Sequence, residues 1–139
     1  MFPAMRDYEP LDLRRVCNAG VRVLGSNAKP ALGPRTFHGL PFLVGRSPRR
    51  CFIAFGDQGK TRGSVTIAIG KKARWVLFAH LLLESRLLEG EPVGRVIAHY
   101  CFRYANGEKI AVPIRERLEI TVIPPVWGQW PLLDRKSVV

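Results

Sequence analysis

The apolar residues of this chain come in short runs separated by 13 glycines and 11 prolines, and the longest run, Trp75 to Leu83, spans nine residues and is broken by His80. A helix that crosses a bilayer needs about 20 apolar residues in succession, so no membrane span is encoded. Short apolar segments with turn residues between them are the pattern of an all-β domain. From Thr36 onward the candidate strands are 36–44, 51–55, 64–69, 74–83, 95–104, 108–114 and 118–123. The first 35 residues are irregular, punctuated by Pro3, Pro10, Pro30 and Pro34 and by Gly20, Gly25 and Gly33, with only 21–24 strand-like.

The clearest period of two lies in 95–104. Val96, Ala98, Tyr100, Phe102 and Tyr104 share one face, opposite Arg95, Ile97, His99, Cys101 and Arg103. Asn106 and Gly107 follow, and both tolerate the positive φ of a type I′ hairpin turn. A meander from Arg95 to Ile123 is therefore expected. In 64–69, Val65, Ile67 and Ile69 alternate with Ser64, Thr66 and Ala68 in the same way. The stretch 73–88 is rich in Leu and Ala, as a helix would be, yet its charged residues and His80 define no clean polar face. A central strand, apolar on both faces and ending near Leu83, with Trp75 in the core, accounts for it better. The loop 84–94 then folds Leu87 and Leu88 back onto the body.

Length and composition fit one domain: 139 residues, 47% hydrophobic and 24% charged, supply a core and exclude general disorder. The expected architecture is a single β-sandwich over 1–139, with its core in about 8–123 and a tail, 124–139, that contains Pro and Trp. The opening MFPAMRDYEP has neither a basic nor an apolar leader region, so a cytoplasmic setting is the default expectation unless the chain is cut from a longer protein. Cys17, Cys51 and Cys101 are widely spaced with no CxxC pair. Buried free thiols are expected at Cys51 and Cys101, and no thiolate zinc site.

The formal charge of +11 brings acidic partners into view, and 16 of the 22 basic residues are arginines, whose forks suit phosphate and carboxylate. The charge is spread over small groups: Arg14 and Arg15, Arg46 with Arg49 and Arg50, Lys71, Lys72 and Arg74, Arg115 and Arg117. No run reaches five and no recognised nucleic-acid motif occurs, so a solvated Arg-rich surface is favoured over a nucleic-acid interface.

Catalytic and metal patterns are also weak. His38, His80 and His99 form neither HxH nor HExxH, and each, alone on an apolar strand, is expected to be a hydrogen-bonded core residue. Ser64, Ser85 and Cys101 lack the surroundings of an activated nucleophile. Glu84, Glu89, Glu91, Glu116 and Glu119 define no glycosidase pair. Gly56-Asp57-Gln58-Gly59-Lys60-Thr61 ends like a phosphate loop but lacks its GxxxxGK spacing, so a polar hairpin tip is expected. Trp127 and Trp130, flanking Gly128-Gln129, are the candidate ligand-binding residues. They are placed to stack on a sugar face or a partner domain, or else to plug the sandwich from the tail.

Five pieces of the chain together resemble one bacterial family. They are Pro10-Leu11-Asp12-Leu13 leading to Asn18, Gly39-Leu40-Pro41-Phe42, Ala73 to His80, Tyr104-Ala105-Asn106-Gly107, and Val112-Pro113-Ile114. The ensemble, over roughly residues 8–123, is similar to the galactose-binding-like jelly-roll β-sandwich domains found beside or inside carbohydrate-active enzymes. Asn106 stands where such domains are expected to carry Asp, a change that keeps the turn chemistry. The resemblance implies a non-catalytic carbohydrate-binding or accessory module, with ligands on loops at one end of the sandwich and a carbohydrate or a neighbouring catalytic domain as partner. A purely structural interaction domain packing on a catalytic partner is the alternative, followed by a basic nucleic-acid-binding protein. The resemblance also implies a structural calcium in many members, but the 11 carboxylates here are dispersed. No cofactor is expected, and the densest acidic group, Asp7, Glu9 and Asp12, is read as solvated surface.

Overall fold

The computed structural model describes residues 7–25, 32–56, 63–85 and 89–122. Their named elements are a 3-10 turn, Val21–Leu24, and four strands: β1 (Gly33–Phe37), β2 (Leu40–Val44), β3 (Val96–Arg103) and β4 (Lys109–Arg115). The described part is all-β, with two antiparallel hairpins, β1-β2 and β3-β4. No helix among the described residues is long and apolar enough to cross a membrane. Internal contacts divide the chain into two compact units, Met1–Arg74 and Trp75–Val139.

In the first unit, the expected strand 36–44 is instead a hairpin folded back at His38-Gly39. Phe37 pairs with Leu40 across a two-residue loop, and His38 and Gly39 both take positive φ, 50° and 77°. These are the values of a type I′ turn, whose twist matches that of the flanking strands. Histidine is among the few non-glycine residues enriched in this region. With Phe37↔Leu40 as a hydrogen-bonded pair, Pro41 (opposite Thr36) and Pro34 (opposite Leu43) fall in non-hydrogen-bonded pairs. Neither proline removes a donor from the ladder.

The type I′ turn expected at Asn106-Gly107 is a different turn. The Gly107 amide donates to Tyr104 O (3.0 Å) and the Tyr104 amide to Glu108 O (2.9 Å), and of the two turn residues only Gly107 has positive φ, 90°. This is a type I turn closed by a glycine bulge, a three-residue loop that still sets Tyr104 opposite Glu108. We expect Gly39→Val and Gly107→Val each to lower stability by about 1–2 kcal/mol, because a β-branched residue is strained at positive φ. His38→Asn should be neutral or slightly stabilising. Urea denaturation midpoints measure all three, and a neutral Gly39→Val would refute the turn.

The first unit's core is small: Cys17, Ala19, Cys51 and Ala54 are buried. Ala19 bridges Phe52, with Cys51 N donating to Ala19 O (2.8 Å) and Ala19 N to Phe52 O (3.0 Å). The Asn18 side chain extends this pairing, its Nδ2 donating to Ala54 O (2.9 Å) and its Oδ1 accepting from Ala54 N (2.8 Å). Residues 51–55 thus carry bridges rather than a continuous strand.

In the second unit, β3 and β4 run close to the expected bounds, with Arg103 opposite Lys109, Cys101 opposite Ala111 and His99 opposite Pro113. A register shift between Val96 and Ala98 breaks the predicted alternation, and Val96 is exposed rather than aligned with Tyr100. Ala98, Tyr100 and Phe102 share a face with Ile114, Val112 and Ile110. The Phe78 ring stacks on Tyr100 at 3.8 Å and meets Phe102 edge-on at 6.4 Å. Ile114 is buried.

Three further expectations are corrected. Cys101 is exposed, because the alternation that turns Tyr100 and Phe102 inward turns their neighbour outward. Residues 64–69 and 74–83 carry no strand ladder, and Trp75 is 44% exposed rather than core. Apolar pattern alone does not provide a hydrogen-bonding neighbour. Where a third meander strand was expected over 118–123, residues 117–119 form a turn: the Leu118 and Glu119 amides fold back onto Arg115 O (3.1 and 3.0 Å), and Ile120 makes a single parallel bridge to Glu116.

Candidate functional site

The first unit contains a cleft of about 150 Å³ lined by Asp12, Leu13, Arg14, Leu43, Val44, Gly45 and Arg46. One wall is the turn that follows Asp12, in which the Val16 and Cys17 amides both donate to Leu13 O at 3.0 Å. The other wall is the end of β2. Gly45 is required there, because a Cβ at this position would lie 2.5 Å from Cys51 Cα, so only glycine lets β2 run close to the bridge segment and form the wall.

Asp12 and Arg14 supply the polar rim. Arg14 Nε donates to both carboxylate oxygens (3.0 and 2.7 Å), its Nη2 lies 2.6 Å from Oδ2, and its amide donates to Oδ1 at 3.0 Å. The side-chain hydrogen bond to Arg14 holds the Asp12 carboxyl below the ordinary carboxylate range and raises the Arg14 guanidinium in turn. Both groups keep unused capacity, since a carboxylate has about four acceptor sites and a guanidinium five donors. Arg46 stands exposed on the cleft. Leu13 and Leu43 add apolar surface between these charges.

The second unit contributes an aromatic array. His80 Nε2 donates to Glu119 O at 2.7 Å, and its Nδ1 accepts from the Tyr100 hydroxyl. A carbonyl can only accept, which fixes this tautomer. Burial pushes the Tyr100 hydroxyl up to about 12, so it stays a donor throughout the neutral range. His80 is hydrogen-bonded, as the sequence suggested, but it lies at the surface and not in the core. Glu119 is gripped by Arg115, whose Nε and Nη2 and amide all reach its carboxylate. That hydrogen bonding holds the Glu119 carboxyl below its usual range.

The remaining candidates scatter. Trp127 and Trp130 lie outside the described residues, as does most of the glycine-rich stretch 56–61. Glu9 pairs with Lys71 (2.5 Å) and Asp12 with Arg14, and Asp7, Glu9 and Asp12 all lie exposed at the surface, as the sequence suggested. Of the basic groups, Arg50 is structural, donating to Cys17 O at 2.5 Å. His38 forms a turn in one unit and His99 lies on β3 in the other. Among the described residues no group of three or more His, Cys, Asp or Glu is placed to hold a metal.

Sequence reasoning missed the cleft because its residues, Asp12 with Arg14 and Leu43 with Arg46, belong to segments about 30 residues apart. The only local signal was the short spacing of Asp12 and Arg14. No protein-family model, no curated protein and no solved structure matches this chain.

Proposed function

We propose that this chain is a non-catalytic accessory module of a carbohydrate-active protein, built as a jelly-roll-like β-sandwich, and that the Asp12, Arg14 and Arg46 cleft binds a neutral sugar. The observation that carries this reading is the hydrogen-bonded carboxylate and guanidinium couple at the rim of a cleft with Leu13 and Leu43 in its wall. Sugar hydroxyls both donate and accept, and the couple offers both complements side by side. The apolar surface suits the C–H face of a pyranose ring. At about 150 Å³ the cleft suits one monosaccharide-sized group and is smaller than the usual pocket of a drug-sized ligand, about 300 Å³ or more.

Galactose titrated into isotopically labelled protein is expected to shift the amide signals of Leu13, Arg14 and Gly45. Because the ligand is uncharged, the affinity should change little between about 15 and 150 mM salt. Asp12→Ala and Arg46→Ala should each weaken it about fivefold or more, the equivalent of one hydrogen bond of about 1 kcal/mol. Absence of shifts at these amides would sink the sugar assignment.

A second reading, a structural domain that packs on a catalytic partner, has its own support. Leu77, Phe78, Ile110 and Val112 are each at least 40% exposed, and a partner domain that covered them would take this apolar surface out of water. Both readings make the chain a non-catalytic companion, joined or separate, of a catalytic domain.

A further inference from the structure

We propose that the outer face of the β3-β4 hairpin, where Arg103 and Lys109 oppose one another, binds the sulfate or carboxylate groups of an anionic polysaccharide. The register sets these two residues directly opposite. Counting from the hydrogen-bonded Tyr104 and Glu108 position, theirs is a non-hydrogen-bonded pair, the kind in which facing side chains come closest, with Cα atoms about 4.5 Å apart. Like charges so placed repel and destabilise a hairpin.

No carboxylate among the described residues relieves the repulsion: the ion pairs of this unit engage Arg95 and Arg115, not Arg103 or Lys109. Glu108, next in the chain to Lys109, belongs to the other face by alternation and is held by the Asn106 side-chain amide (3.1 Å). An oxyanion between the two cations would turn the repulsion into a clamp, and the formal charge of +11 would draw a polyanion toward it.

The rest of the face narrows the class of polyanion. Above the cationic pair come Cys101 and Ala111, then His99 and Pro113, a strip whose one aromatic ring is the His99 imidazole and which has no Phe, Tyr or Trp. The aromatic residues of the hairpin, Tyr100 and Phe102, belong to the opposite face, against Phe78. Single-stranded nucleic acid is bound by charge together with a succession of aromatic rings on one surface, and this strip offers a single imidazole. A narrow strip beneath a paired guanidinium and ammonium suits an extended chain with repeated anionic groups. The choice of a polysaccharide over other polyanions rests on the accessory reading above.

The test uses dextran sulfate, with dextran and single-stranded DNA as the other probes. Dextran sulfate should bind in a salt-dependent way and dextran should not bind at this face. Arg103→Glu should weaken dextran sulfate by about tenfold or more, since it replaces a clamp with repulsion. The same substitution should raise the melting temperature by about 2 °C or more, because it converts a like-charge pair into an opposite one. Lys109→Glu should reproduce both changes. An equal loss of binding from Arg22→Glu, a matched charge change elsewhere, would mean a diffuse field and overturn the site. So would unchanged affinity in Arg103→Glu, or tighter binding of DNA than of dextran sulfate through the same residues. Because galactose is read at Leu13, Arg14 and Gly45 and dextran sulfate at Arg103 and Lys109, failure of one assignment is distinguishable from failure of the other.

Discussion

Gly45→Ala is expected to disrupt the folded first unit, at a cost of about 3 kcal/mol or more. The added Cβ would lie 2.5 Å from Cys51 Cα and 3.0 Å from Arg50 O and Cys51 Cβ. Backbone atoms cannot rotate away as a flexible side chain can. The segment they belong to is fixed by the Cys51 and Phe52 amides, which donate to Ala19 O (2.8 and 2.9 Å), so relief of the clash must break the pairing at the core.

The cysteines provide the readout. Cys17 and Cys51 are buried and Cys101 is exposed, and burial raises both buried thiols above their ordinary range, which further slows their reaction. A thiol reagent should label the wild-type chain at one fast site and two slow ones. In Gly45→Ala all three should react fast. Gly63→Ala is the control, since a Cβ there meets nothing within 4 Å, and its stability should change by less than about 0.5 kcal/mol. Two slow thiols and an unchanged melting temperature in Gly45→Ala would show that β2 does not approach Cys51 as described.

What the sequence showed and what it hid divide along a physical line. The β3-β4 hairpin was legible because Tyr100 and Phe102 alternate with polar or small neighbours and a turn dipeptide follows, so local pattern and tertiary pairing agree. The β1-β2 hairpin was hidden inside one apolar run: its turn is His38-Gly39, and histidine in the left-handed region is too uncommon a choice to mark a turn by composition. Residues 74–83 show the opposite failure. Their run Trp75-Val76-Leu77-Phe78-Ala79 has the hydrophobicity of a buried strand, yet strand pairing depends on a neighbour that the pattern does not specify. The candidate cleft was illegible because it brings together residues about 30 positions apart, whereas the two tryptophans that the sequence singled out lie in the stretch outside the described residues.

The second large effect concerns the buried pair in the second unit, where removing one partner should do more damage than removing both. Glu116 is 1% exposed, and its nearest cation, Arg95 Nη2, is 3.9 Å from Oε2. Among the described residues neither Glu116 carboxylate oxygen nor Arg95 Nε has a hydrogen-bond partner. This is a loose ion pair whose desolvation is poorly offset, and it persists because the backbone around it is well tied: Glu116 N donates to Arg95 O (2.9 Å) and Gly94 N to Glu116 O (3.2 Å). Arg95→Met would leave a buried carboxylate with no counter-charge. The expected cost is about 2–3 kcal/mol, below the range of about 3–5 for fully buried pairs because Arg95 is one third exposed and partly screened. Arg95→Met combined with Glu116→Leu removes both desolvation penalties and adds apolar contact beside Ile114, so the double variant should match or exceed the wild type. Denaturant titration of the three variants completes the cycle. Additive losses in the double variant would mean that the two charges stabilise the unit independently, and that the buried carboxylate is satisfied by an interaction other than Arg95.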